Sequence, residues 1–447
     1  MQHKLFEKHR LLSFDKNYSA EVYLKNPDKY RQLEEDSLKF ENLISRGGGY
    51  SYVAASFKKE SLSLCMKNFN RILDFSPKEK TITVEAGITI LEFLNFTLKS
   101  GLWIPQSPGY PFISVGGAVA SNVHGKSAGT HGTIKNAIKE ILIFHKKNGW
   151  IKISNEENKN IFDLTIGGYG LTGTIVSVKF KLTELQNASF ETSTTKVNSL
   201  TETINLIKNN KDGNSFIYSW NTVCAKKINF GDGLIFCNKM NEKNEKKIIN
   251  LTKIKEPKFY NNLFYFCLWN KLSVKSFNYF FFKYYDILRK KNYNDTFSNV
   301  IFPYFGKESY FSMFGKKGFF ESQILISYEK VEEFIEEFKN LNNKHNPTIT
   351  LFSIKGMSGE HKYLRFEGNM ICIALDIVKN QKNLSFMKDL DKLYIKYEAI
   401  PYIIKDSRLN KEVFDKCYKY ADQFRKELKS FDQQRYYRSE LSDRLGL

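Results

Sequence analysis

Six of the chain's 26 glycines, Gly109, Gly116, Gly117, Gly125, Gly129 and Gly132, fall between Trp103 and Thr133 among small and hydroxylated neighbours. Glycine loses more conformational freedom on folding than any other residue, so such clustering asks for backbone that passes close to a ligand or to other backbone. Successive N–H groups in turn conformations form a concave, partly positive nest that suits a pyrophosphate. Two common phosphate sites do not fit this stretch. A Walker loop ending in Gly125-Lys126-Ser127 needs glycine where Ala120 stands, and no G-x-G-x-x-G run follows a strand to open a helix. A glycine-rich surface loop without a ligand stands beside the cradle as the alternative, because loops collect glycine for turn geometry.

Side-chain type alone says less about the other candidates. His124 by itself reads as a hydrogen-bonded loop histidine before a catalytic one, although its two-faced imidazole permits either. Lys405 follows the apolar run Pro401-Tyr402-Ile403-Ile404 and reads as a solvated lysine at a strand end. Cys372, inside an apolar strand, reads as a small buried hydrophobe. The six cysteines, Cys65, Cys224, Cys237, Cys267, Cys372 and Cys417, show neither CxxC nor Cys/His ligand spacing, so reduced thiols and no metal site are expected.

The elements that must position these residues follow from periodicity. Residues 38–58 read as a strand ending in a glycine turn, Arg46-Gly47-Gly48-Gly49, before Tyr50-Ser51-Tyr52. Residues 81–86 alternate as a β-branched strand, and Ile88 to Gly101 carry helical spacing with a glycine stop. A strand-rich segment spans 136–147, and a further cluster, Gly167-Gly168-Tyr169-Gly170 through Gly173, leads into another strand at Thr174-Ile175-Val176. Three glycine clusters joined by short strands and helices predict an α+β domain wrapped around an elongated ligand. Residues 216–223, 319–328 and 371–377 read as strands of an antiparallel sheet.

The 447 residues, 42% of them hydrophobic, are enough for sizeable cores in two or three domains or one two-lobed enzyme. An excess of 68 basic over 48 acidic residues favours anionic surfaces such as phospholipid head groups or nucleic acid. The first thirty residues interrupt every apolar pair with charge, which is unlike a secretory signal, and no run of eighteen apolar residues occurs, so a cytosolic protein is expected. Residues 259–285 interleave aromatics with Lys271, Lys275 and Lys283. Such a stripe is either helix core or an aromatic and basic surface at a membrane interface.

The order R-G-G-G-x-S-Y over 46–52, T-V-E-A-G over 83–87, V-G-G-A-x-A-x-x-x-H-G-K over 115–126 after Pro108-Gly109, and G-G-x-G-L-T-G over 167–173 resembles the PCMH-type FAD-binding domain of vanillyl-alcohol-oxidase-type flavoproteins. Val119–Lys126, Leu351–Gly356, Ile371-Cys372, Tyr402–Arg408 and the tail SELSDRLGL are similar, in order, to the decaprenylphosphoryl-β-D-ribose 2′-oxidases, with least agreement over 185–320. The resemblance implies a two-domain α+β flavoprotein. Its FAD-binding domain would be 1–184, with an inserted antiparallel-sheet substrate domain at 185–399 and a segment, 400–447, that returns to the FAD domain. FAD would be held by Arg46, Gly47, Gly48, Gly49, Tyr50, Ser51, Tyr52, Pro108, Gly109, Val115, Gly116, Gly117, Ala118, Asn122, His124, Gly125, Lys126, Gly173, Ile175 and Tyr402. Tyr50 occupies the position where that family often has a histidine bonded to the flavin, which implies non-covalent FAD.

By the same resemblance Lys405, Cys372 and His124 form the catalytic centre, with Lys405 binding or deprotonating the reacting hydroxyl. Tyr52, Gln323, Lys355, Cys372 and Lys405 would contact substrate. Two positions depart from the pattern: Met370 replaces an asparagine and Glu321 a glutamine. The implied reaction oxidises the C2 hydroxyl of a polyprenylphosphoryl ribofuranose to the 2-keto sugar, the first half of epimerisation to an arabinofuranosyl donor. The implied partners are a lipid-linked sugar phosphate, a short-chain reductase and the inner face of a membrane, with no nucleic acid. An aldonolactone or alditol oxidase on soluble sugars and a basic membrane-surface protein are the competing readings.

Overall fold

Thr81–Glu85 puts Ile82 and Val84 into the core and its threonines outward, as a period of two requires. In the computed structural model, which describes residues 7–209, 215–223, 230–241, 249, 251, 254–256, 264–288 and 292–447, this strand is second in a five-stranded antiparallel sheet. The order is Ile72–Ser76, Thr81–Glu85, Thr174–Lys181, Ile138–His145, Gly149–Ser154. The helix Ile90–Thr97 follows, opened by a Thr89–Glu92 capping box and closed after one 3-10 turn by Gly101, whose φ of 67° only glycine adopts without strain. Cys224 and residues 259–263 of the aromatic stretch lie outside the described residues.

A four-stranded sheet runs Lys8–Leu12, Ser19–Lys25, Leu62–Cys65, Leu43–Arg46, the first pair antiparallel and the rest parallel. Its last strand delivers Arg46 to the glycine turn. The C-terminal stretch returns to these two sheets: Leu43 N–H donates to the Tyr436 carbonyl at 3.0 Å, and the buried Tyr437 hydroxyl donates to the Phe144 carbonyl at 2.9 Å.

The middle of the chain forms an eight-stranded sheet. Its order is Asn292–Thr296, Ser189–Val197, Gly233–Met240, Ser215–Asn221, Ile349–Met357, Met370–Val378, Phe319–Ile326, Ile400–Pro401, with antiparallel pairing throughout. Helices Val331–His345 and Gln381–Lys396 cover one face, where Phe338 meets Phe352 at 5.4 Å and Phe386 at 6.1 Å. The described chain is thus a mixed α+β structure, as expected, with antiparallel five- and eight-stranded sheets beside the mostly parallel four-stranded one. The aromatic stretch behaves differently from a core helix: Lys271–Lys283 buries Val274 and Asn278 and leaves most of its rings outside.

A buried charge cluster ties the 358–368 loop to the glycine-rich region. Arg365, its side chain 1% exposed, sits 3.2 Å from Asp163 and 2.8 Å from Glu367. Glu367 accepts from Thr133 at 2.9 Å and Asn122 at 3.3 Å. Burial raises the Asp163 pKa, but Lys362 and Arg365 outweigh it and hold the carboxyl below its ordinary value. That part of the stability is therefore present above the unfolded-state pKa and lost as pH falls through the folded one. Arg365→Met removes the one fully buried cation shared by Asp163 and Glu367, leaving them only the more exposed Lys362 and Lys135, and is expected to cost about 3 kcal/mol in urea denaturation at neutral pH.

Candidate active site

One cleft runs between the glycine-rich loops and the uncovered face of the eight-stranded sheet. Its walls include Arg46 through Tyr52, Pro108, Gly109, Gly116, Gly117, His124, Gly125 and Lys126 from the first region. Glu321, Gln323, Lys355, Asp376, Tyr402 and Lys405 come from the second. Gly173 and Ile175 complete the lining from the second glycine cluster.

The close approaches explain the glycines. A side chain on Gly47 would sit 1.9 Å from Ser114 Oγ, and one on Gly125 would sit 2.1 Å from the Ser107 carbonyl oxygen. Gly173 stands at φ 134°, and a Cβ added there would sit 2.8 Å from the Phe144 carbonyl oxygen. Among the described residues, the backbone N–H groups of Gly47, Gly48, Gly49 and Ser51 meet no protein acceptor. A run of unused donors on a cleft wall needs an anionic or polar ligand, and the pyrophosphate of FAD matches that demand. Arg46, which donates to Ser56 at 2.9 Å, backs the turn, and burial lowers its pKa.

Lys405 sits in the turn after Ile400–Pro401, beside the cradle. Its ammonium donates to Glu321 Oε2 at 3.2 Å and lies 3.9 Å above the Tyr52 ring. Glu321 Oε1 accepts from Gln323 at 2.6 Å, and Gln323 holds Tyr402 through a 2.7 Å backbone bond. The turn is fixed from behind: Arg408 makes two bonds to Asp391, at 2.7 and 2.8 Å, and one to the fully buried Asp406 at 2.8 Å. Asp376 faces Glu321 directly across the strand pair and accepts from Tyr310 at 2.9 Å. Burial, then the neighbouring Glu321, pushes the Asp376 pKa well above its ordinary value, toward the protonated form.

His124 stacks on Phe366 at 5.5 Å and lies tilted beside Tyr402 at 5.1 Å, those two rings being stacked on each other at 4.3 Å, and its buried Nδ1 has no partner among the described residues. Burial, then the charges of Lys355, Lys405 and Lys126, drives its pKa well below the usual value, so the ring is neutral. Lys126 lies 3.6 Å over the Tyr218 ring, and Lys355 is the cross-strand partner of both Tyr218 and Cys372. Neither lysine is paired with a carboxylate among the described residues. Burial lowers both pKa values, and for Lys126 the charge of Lys355 adds to it.

Some expected site residues do not line the cleft. Val115 and Ala118 belong to the core beneath it, and Asn122 is taken up by Glu367. Cys372 shares a strand face with Ala374 and Asp376 but is fully buried, and burial pushes its thiol up to about 11. It is therefore no nucleophile at neutral pH. Phe14, Tyr304 and Asp376 line the cleft without having been picked out in the sequence. The period of two from Cys372 through Ala374 points at Asp376; Phe14 and Tyr304 carry no local signal.

The cradle, its unused amides and the cationic wall define an FAD-dependent oxidoreductase, and residues 38–154 match the FAD binding domain family. The chain is similar to decaprenylphosphoryl-β-D-ribose oxidase of Mycolicibacterium smegmatis, 25% identical over 416 residues, covering 91% of this chain and 89% of that protein. Shorter similarities cover about a quarter of the chain. L-galactono-1,4-lactone dehydrogenase 2 of Oryza sativa subsp. japonica is 29% identical over 26% of this chain and 20% of its own. D-lactate dehydrogenase of Anaerostipes hadrus is 23% identical over 27% and 26%.

Proposed function

We propose that this enzyme oxidises the C2 hydroxyl of a polyprenylphosphoryl ribofuranose to the 2-keto sugar, the first half of epimerisation to an arabinofuranosyl donor. The reading is supported most by the pairing of Lys405 with Glu321 in the same cleft as the unused cradle amides. FAD, when bound, supplies the hydride acceptor. Lys405 donates a hydrogen bond to the reacting hydroxyl oxygen and favours the negative charge that develops there. The hydroxyl proton leaves toward the Lys405–Glu321 pair, while protonated Asp376 keeps a second negative charge away from Glu321. Neutral His124 shapes the wall without adding charge. Lys126 and Lys355, lacking carboxylate partners among the described residues, take the substrate phosphate.

In this reading 1–184 and the returning 400–447 segment hold FAD without a covalent bond, and 185–399 covers it with the substrate sheet. A short-chain reductase completes the epimerisation, and the enzyme works from the cytosol at the membrane's inner face. The carboxylate of Glu321, where the resemblance expects an amide, favours a second reading: oxidation of a soluble aldonolactone or alditol. An anaerobic visible spectrum decides between them. Polyprenylphosphoryl ribose is expected to bleach the flavin within the mixing time. Bleaching by an unlipidated polyol, with none by the lipid, would establish the second reading instead.

A further inference from the structure

Tyr265, Phe266, Leu272, Tyr279, Phe280 and Ile287 are each between 58% and 74% exposed, and they come from one stretch of the chain. Helix Lys271–Lys283 and its one-turn extension Tyr284–Leu288 carry four of them. The inner side of this helix is well held. Asn278 accepts from the Trp220 indole at 3.0 Å, Phe281 packs on Trp220 at 5.0 Å, and Val274 is 1% exposed. The outer side repeats apolar residues at helical spacing, with Leu272, Tyr279, Phe280 and Ile287 falling together. Patches of this size and continuity are uncommon on proteins that meet only water.

Its charge chooses the occupant. Lys275 and Lys283 are interleaved with the exposed rings, and Lys316 sits 4.4 Å over Tyr265. Asp286, on the same stretch, is engaged by Lys196 at 2.7 Å. Rings and aliphatic side chains framed by lysines suit the head-group region of an anionic bilayer, where the rings enter the boundary and the lysines meet phosphate. The patch is also tied to the cleft. Trp220 and Tyr218 lie on one face of the strand Ser215–Asn221; Trp220 carries the helix, and Tyr218 lies under Lys126.

We infer that this helix seats the enzyme on an anionic bilayer, so that a lipid-linked substrate enters beside Lys126 and Lys355 without leaving the membrane. The entry step rests on the lipid-phosphate reading of the cleft; the seating does not. The test is flotation of the FAD-loaded full chain with phosphatidylglycerol–phosphatidylcholine vesicles, paired with flavin reduction. Wild type is expected to float with the anionic vesicles and far less with pure phosphatidylcholine. Leu272→Asp/Phe280→Asp/Ile287→Asp is expected to lose flotation. Lys275→Gln/Lys283→Gln should weaken it about 30-fold, since each lysine near an anionic surface is worth about fivefold.

All five substituted positions are exposed, so both variants should keep the flavin spectrum and reduction by a short-chain, water-soluble analogue. Reduction by vesicle-borne substrate should fall at least about tenfold in the triple variant. Wild type that stays off the vesicles, or variants that float like it, overturn the inference. A dimer in light scattering that the triple variant abolishes also overturns it, by giving the face to a second copy. Flotation as expected, with no substrate reducing the flavin, supports the seating and removes the lipid-phosphate reading.

Discussion

Lys405→Ala is expected to leave FAD bound and to slow substrate-driven flavin reduction by about 10²–10³-fold, the loss seen when one preorganised donor to a developing oxyanion is removed. The ammonium is held from two sides, 3.2 Å from Glu321 and 3.9 Å above Tyr52, in a turn locked by the Arg408–Asp391–Asp406 network. Alanine keeps the turn and removes the donor, so the loss should appear in the reduction rate and not in FAD content or melting temperature. Lys405→Arg keeps the charge but spreads it over a fork that does not fit a point-donor site, and should recover little. Normal reduction by Lys405→Ala in rapid mixing would remove Lys405 from the chemistry.

Gly125→Ala should abolish FAD retention. The added carbon would lie 2.1 Å from the Ser107 carbonyl oxygen and 3.2 Å from its carbon, both backbone atoms without a rotamer to give way. The neighbouring loop is pinned: Ser127 donates to the Pro105 carbonyl at 2.5 Å and Ser107 to the Ile104 carbonyl at 2.7 Å. The two loops must part, at a cost of about 3 kcal/mol for an overpacked site, and the cleft wall parts with them. Gly101→Ala is the control. Unlike Gly125 it stands at positive φ, and nothing lies within 4 Å of its added carbon. It should cost about 1 kcal/mol and keep its FAD. The visible-to-ultraviolet absorbance ratio after gel filtration, with thermal melting, reads both; a yellow Gly125→Ala would contradict the cradle geometry.

Local chemistry made much of the FAD region legible. The turn after Leu43–Arg46, the strand Thr81–Glu85, the capped helix Ile90–Thr97 and its Gly101 stop each follow from a few adjacent residues. The substrate side was less so. The period of two marks Phe319–Ile326 and Met370–Val378 as strands, yet it cannot say that Glu321 faces Asp376. The aromatic stretch had two readings, because helical spacing looks alike on a buried and an exposed helix; the packing of Trp220 against Phe281 turned the larger face outward.

By itself the sequence determined where backbone must pass without side chains, and so where a phosphate-bearing cofactor could lie against the chain. It did so because glycine's freedom and the period of a strand are properties of neighbouring residues. The tertiary structure decided the rest. It set Lys405 against Glu321, 84 positions earlier, covered Cys372 completely and turned Asn122 to Glu367. It also left Lys126 and Lys355 without a carboxylate among the described residues. Burial and charge at one point depend on everything folded around it, and no short stretch of chain contains that information.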